Sequence, residues 1–144
     1  MKTFMPKEEE VKRDWFVVDA TDKPTGRLAV AIANTLRGRN KATFTPHVDI
    51  GAFVIVVNCE KIKLSGNKEE NKIYQNYSGF SSGRTEKKAS DIREKNPERI
   101  ITQAVKGMLP RNRQSRQTIK RLKVYVGNEH PHQAQKITEL EVSF

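Results

Sequence analysis

"WFVVDATDKPTGRLAVAIANTLRGRNKATFTPHVDIGAFVIVVN", residues 15–58, holds two short apolar runs, at 15–20 and 52–58, with one helical pattern between them. The runs are β-branched and aromatic without polar alternation, which predicts strands buried on both faces, as in a parallel sheet covered by helices. Between them Leu28, Ile32 and Leu36 recur at helical spacing, with Ala29 and Ala33 beside them. Thr25 is the expected N-cap, and Gly38 is placed as the residue that ends the helix in a left-handed turn. Strand, helix, strand in that order implies a right-handed crossover. The fold class expected is α/β with a small, mainly parallel sheet.

Downstream, "NPERIITQAVKGMLP" at 96–110 predicts a second helix, with Asn96 as N-cap and Pro97 at the first helical position. Ile100, Ile101, Ala104, Val105, Met108 and Leu109 form its apolar stripe, and Pro110 ends it. A short basic helix over 113–121 and a strand in "LKVYV", 122–126, are expected next, with Leu122, Val124 and Val126 on one strand face. Between the two halves, "KIKLSGNKEENKIYQNYS", 61–78, predicts two short strands around a turn, and "SGFSSGRTEKK", 78–88, a flexible loop. The domain is expected to span 15–130, between a charged arm at 1–14 and a tail at 131–144.

Charge is distributed unevenly. The 144-residue chain carries a net charge of +10. Residues 99–128 hold eight Lys/Arg and no acid, and residues 23–48 hold five more, again with none. The two windows sum to +13, so the other 88 residues sum to −3. Segregated like charge costs self-repulsion, which a polyanion relieves, and nucleic acid is the expected partner. Arginines interspersed with Asn, Gln and Ser in "RNRQSRQTIKR", 111–121, suit phosphates and ribose hydroxyls of an irregular RNA, and no DNA-reading motif frames them. Tyr74, Tyr77 and Phe80 are candidates for stacking on unpaired bases.

Other chemistries fit poorly. His130 and His132, with His47, Asp49 or Cys59, match no common zinc spacing, so no metal is expected. "DATDKPTGR" has one glycine where a dinucleotide loop needs three, so no cofactor or small-molecule substrate is expected. Cys59 is the only cysteine and reads as an inert core thiol in a reducing, cytoplasmic compartment. No stretch has the length of a signal or membrane-spanning segment. An RNA-processing enzyme would need carboxylates at the basic groove, and an anionic-membrane binder an apolar face beside the arginines. The basic windows have no carboxylates, and "RNRQSRQTIKR" has no such apolar face.

Across nearly the whole length, "DW", "VVDA", "GRLA", "LRG", "TPHVD", "GNK", "AVKGMLP", "LKVY", "EHPH" and "AQ" appear in order. On these motifs the chain closely resembles the bacterial large-subunit ribosomal protein of the L-thirteen family. It departs from the family's usual pattern at Ala52, at Tyr77 and in the closing "KITELEVSF". The resemblance implies a three-layer α/β/α domain with about four strands, and a non-catalytic role binding 23S rRNA early in large-subunit assembly. It implies a monomer within the ribosome, with neighbouring large-subunit proteins as further partners. Carried over by position, the family's basic patch falls on Arg27, Arg37, Arg39, Lys41, Lys106 and Arg111, and then on Arg113, Arg116, Lys120, Arg121 and Lys123. Arg84, Tyr74, Tyr77, His130 and His132 complete the expected RNA-binding set.

Overall fold

The structure, a computed structural model, describes residues 4–142. The outer ends of the expected arm and tail, residues 1–3 and 143–144, lie outside the described residues. Strand β1 (Trp15–Asp19), helix α1 (Thr25–Arg37) and strand β2 (Phe53–Val57) form the crossover that the apolar runs imply, with β1 and β2 parallel and Trp15 opposite Phe53. After β2 come a short helix α2 (Lys68–Asn71), a hairpin of β3 (Ile73–Tyr77) and β4 (Arg84–Lys88), and α3 (Ala89–Lys95). Then follow α4 (Glu98–Met108), α5 (Arg113–Thr118), β5 (Leu122–Val124) and β6 (Ile137–Glu139). The main sheet has the order β5-β2-β1-β6, and every pairing in it is parallel.

Alternation along the strands divides the core. Val18, Val54 and Val56 pack with Leu28, Ile32 and Leu36 of α1 and with Ile100, Ile101 and Val105 of α4. Burying each such side chain contributes about 1.5–3 kcal/mol, so this helical face is where most of the stability lies. The register puts Trp15, Val17, Phe53 and Ile55 on the opposite face. There Trp15 stacks on Phe53 at 4.3 Å, and the His132 ring lies 5.1 Å from Trp15. Both central strands lie between a five-residue partner and a three-residue edge strand; β2 is largely buried and β1 largely half-buried.

Helix ends follow local chemistry. Gly38 ends α1 with φ 72°, and its N–H donates to the carbonyls of Asn34 and Thr35. Leu109 turns extended before Pro110 and stops α4. Thr25 is not a cap: its hydroxyl donates to Lys63 O, and Pro24 occupies the cap position. Pro97 already has helical angles, as expected of a proline in the first turn. Asp19 closes β1 by accepting from Thr21 N and from Asn58 Nδ2 at the end of β2, 3.0 and 2.9 Å.

Four expectations are corrected. Residues 62–64 do not pair with 73–77, because the backbone of Lys63 bonds to Lys23 and Thr25 beside the first crossover. Ile73–Tyr77 pairs instead with Arg84–Lys88, inside the stretch expected to be a loop. Val126 does not continue β5; it is exposed beyond the strand's end. The domain also extends beyond residue 130: Ile137–Glu139 is the edge strand beside β1, and Leu140 and Val142 pack against the core. Among the described residues no helix is long and apolar enough to cross a membrane.

Candidate nucleic-acid interface

The two acid-free windows meet at the acid that ends the first of them. Asp49 follows the 38–48 loop, and Arg121 ends the single 3-10 turn (Ile119–Arg121) that continues α5. The Arg121 guanidinium grips the Asp49 carboxylate with both terminal nitrogens, at 2.5 and 2.7 Å, and donates at 2.9 Å to Leu36 O at the end of α1. Thr118 of α5 reaches the same carboxylate, at 3.5 Å. Gly51 completes the joint, because a Cβ there would overlap the Leu36 carbonyl and crowd Arg121. Burial alone raises the Asp49 carboxyl, but the hydrogen bond and charge of Arg121 outweigh it, helped by Gly51 N–H and Arg13, and hold it below its usual value.

Arg121 is therefore corrected from an RNA contact to a structural residue: it is 8% exposed, and its charge is spent on Asp49. Because Asp49 has a lowered folded pKa, its stabilisation is complete above the unfolded carboxylate value of ~3.9 and fades as pH falls through the folded one. Thermal melts between neutral pH and pH ~3 should show the wild type losing more stability than an Asp49→Asn variant, whose residue 49 does not titrate. Parallel losses would contradict the role given to Asp49.

The neighbours of Arg121 are disposed differently. Arg111, Arg113, Arg116, Lys120 and Lys106 are exposed, and among the described residues none forms an ion pair with a carboxylate of the chain. Asn112 starts α5, its Oδ1 accepting from Ser115 N at 2.8 Å, and so sets how the arginines leave the turn after Pro110. From the first window, Arg39 is exposed, Arg37 lies 6.0 Å from the Phe44 ring, and Lys41 pairs with Asp14 at 2.9 Å. Arg27, at the other end of α1, borders a separate groove with Val30 and Glu141. Lys123 is half-buried on β5.

A groove of about 1070 Å³ opens beside α5. Arg99, Lys106, Arg111 and Arg116 line it, and among the described residues Glu98 is its one carboxylate. β3 supplies part of its lining through Gln75 and Asn76. On the hairpin, Tyr77 and Phe80 are exposed at 66% and 79%, whereas Tyr74 is buried and belongs to the hydrophobic core cluster. Tyr74 is thus corrected from a base-stacking candidate to a core residue. Arg84 is exposed but paired with Glu86 across one residue. His132 is half-buried beside Trp15 with its Nε2 2.7 Å from the Tyr125 hydroxyl; the His130 ring lies 6.4 Å from that of His132, and its buried Nδ1 has no hydrogen-bond partner among the described residues.

Among the described residues no three of His, Cys, Asp and Glu are grouped to hold a metal ion. Cys59 is buried, and burial, then the charges of Glu60 and Glu98, push its thiol up to about 11. At neutral pH it is not a nucleophile.

The model of a family described as ribosomal protein L13 matches residues 13–131. The chain belongs to the ribosomal protein L13 family. It is 54% identical over its whole length to the large ribosomal subunit protein uL13 of Oleidesulfovibrio alaskensis, covering all of that chain. The uL13 of Dictyoglomus thermophilum is 56% identical over 99% of this chain and all of its own, and that of Legionella pneumophila 52% identical over 99% of each. In the present L13 structure the "AVKGMLP" motif forms the second half of α4 and its proline stop. Sequence patterns left out much of the groove lining, although Arg99, Thr102, Gln103 and Lys106 recur at i, i+3, i+4 and i+7 and so share one face of α4.

Proposed function

We propose that this chain is a non-catalytic structural component of the large ribosomal subunit, which binds 23S rRNA and supports early subunit assembly. The observation that carries this reading is the set of exposed cations, without an ion-pair partner among the described residues, running from Lys106 through Arg111, Arg113 and Arg116 to Lys120. Charge left without acids on a folded surface is suited to phosphate, and each phosphate bound releases condensed counterions. Membership of the L13 family, and the names of its relatives, set the ribosomal context. The same reading has the protein acting as a cytoplasmic monomer beside other large-subunit proteins, with no cofactor. The N-terminal arm joins this surface at its inner end, where Arg13 donates to Asp49 O and Asp14 pairs with Lys41.

Purified full-length protein mixed with 23S rRNA and Mg²⁺ should form a complex of one protein per RNA, with the RNA intact. Cleavage or modification of many RNA molecules by each protein molecule would refute the structural role, and the absence of any complex would refute the RNA role.

The exposed hairpin tip is the part of this surface suited to unpaired bases. Replacing Tyr77 and Phe80 together by Ala should weaken rRNA binding by about tenfold or more without changing the melting temperature, since a base–aromatic stack contributes ~1–3 kcal/mol. Tyr74→Ala should do the reverse, lowering the melting temperature through the core. Filter binding and thermal melts on the same preparations distinguish the two.

A further inference from the structure

The groove beside α5 differs from the outer basic face in what lines it besides charge. Arg99, Lys106, Arg111 and Arg116 are its cations. Among the described residues, the side-chain amides of Asn76 and Gln103 and the hydroxyl of Ser115 have no hydrogen-bond partner in the chain, although all three residues line the groove. Asn112 has only its Oδ1 engaged, leaving its amide nitrogen to donate. Thr102 donates to Glu98 O and keeps its oxygen lone pairs to accept. Four cations, neutral donors and acceptors, and the one carboxylate of Glu98 at the start of α4 thus face one space of about 1070 Å³, with positive charge in excess.

A paired helix does not suit this arrangement. An RNA duplex presents its phosphates on a convex exterior and keeps its base edges paired, so it meets a flat or protruding basic face such as the outer side of α5. A groove with cations and uncommitted amides suits a strand whose phosphates, ribose hydroxyls and base edges are all exposed, which only unpaired RNA offers. The exposed Tyr77 and Phe80 rings lie one and four residues along the hairpin from Asn76, where such a strand can continue onto stacking surfaces.

We infer that the groove between α4, the start of α5 and β3 is a site for a single unpaired RNA strand, its phosphates on the arginines and lysine and its ribose and base edges on Asn76, Gln103 and Ser115. This rests on the proposed rRNA-binding role and adds that one of the contacted segments is unpaired. It also assigns preference for RNA over DNA to the neutral residues, because they can reach the 2′-hydroxyl that DNA lacks.

The test uses the full-length protein with three probes: a short unpaired oligoribonucleotide, the same oligonucleotide paired in a blunt duplex, and its unpaired DNA equivalent. The unpaired RNA should bind most tightly. A variant carrying Asn76→Ala, Gln103→Ala and Ser115→Ala should lose about tenfold or more of that affinity and most of the RNA-over-DNA preference, from three hydrogen bonds of ordinary strength. Its salt slope should be unchanged, because no cation is removed. Asn76 and Gln103 are exposed and Ser115 is half-buried, and an unchanged melt would attribute the loss to the groove. Equal binding of duplex and unpaired strand, or an unaltered triple variant, would overturn the inference while leaving 23S rRNA binding by the outer face intact. Failure of the wild type to bind 23S rRNA at all would overturn the proposed function with it.

Discussion

Asp49→Asn is expected to lower the unfolding free energy by about 3–5 kcal/mol, the usual cost of leaving one member of a buried ion pair uncompensated. Asparagine keeps the shape of the residue but not its charge, so the Arg121 guanidinium stays buried against Leu36 O without its anion. In a chain of this size 1 kcal/mol corresponds to ~2–4 °C, so the melting temperature should fall by at least about 6 °C. Gly51→Ala should be comparably damaging for a different reason, since its Cβ would meet the Leu36 carbonyl, backbone that cannot move aside without unwinding the end of α1. Replacing Asp49 and Arg121 together by Leu and Met should recover part of the loss, because an apolar pair is not left with an orphaned charge. Melting temperatures within experimental error of the wild type for Asp49→Asn and Gly51→Ala would mean that this junction does not hold the two halves of the basic surface in place.

The second large effect is on binding. Arg113→Glu, Arg116→Glu and Lys120→Glu combined should leave the fold intact, because all three side chains are exposed and make no ion pair within the described chain. Affinity for 23S rRNA should fall roughly tenfold for each reversal, ~10³ in all at moderate salt. The log–log dependence of affinity on salt should flatten by about 2–3, since each lost phosphate contact removes ~0.7–0.9. Arg121→Glu, one residue from Lys120, should instead unfold the protein by setting two carboxylates against each other. Circular dichroism and filter binding on the two variants would separate surface from structure. Loss of folded signal in the triple variant would place those residues in the core and contradict the surface described here.

That contrast also marks how far the sequence was readable. The β1-α1-β2 unit was legible because buried parallel strands are written as unbroken apolar runs and α1 as a helical stripe ending in Gly38. α4 was legible for similar reasons, between Pro97 and Pro110. β4 was not: "RTEKK" has no apolar residue, and it is a strand only because β3 pairs with it. β6 was missed because three residues at a sheet edge leave too short a pattern to recognise. The basic region was legible as a charge count, but charge alone does not separate Lys120 from Arg121. The usable signal was position: Arg121 directly precedes the apolar start of β5 at Leu122, where the chain enters the core, and Asp49 is the first acid after the other basic window. The groove was hidden for a related reason, since Asn76 and Gln103 come from distant elements that only the packed hairpin and α4 bring together.

The most direct measurement of the central claim, that unpaired surface cations meet phosphate, is the salt dependence of wild-type binding to full-length 23S rRNA. A surface engaging ~6–10 phosphates requires a log–log slope of about −5 or steeper, with affinity falling ~10³–10⁵ between 50 and 200 mM salt. Tight binding that barely changes over that range would contradict it.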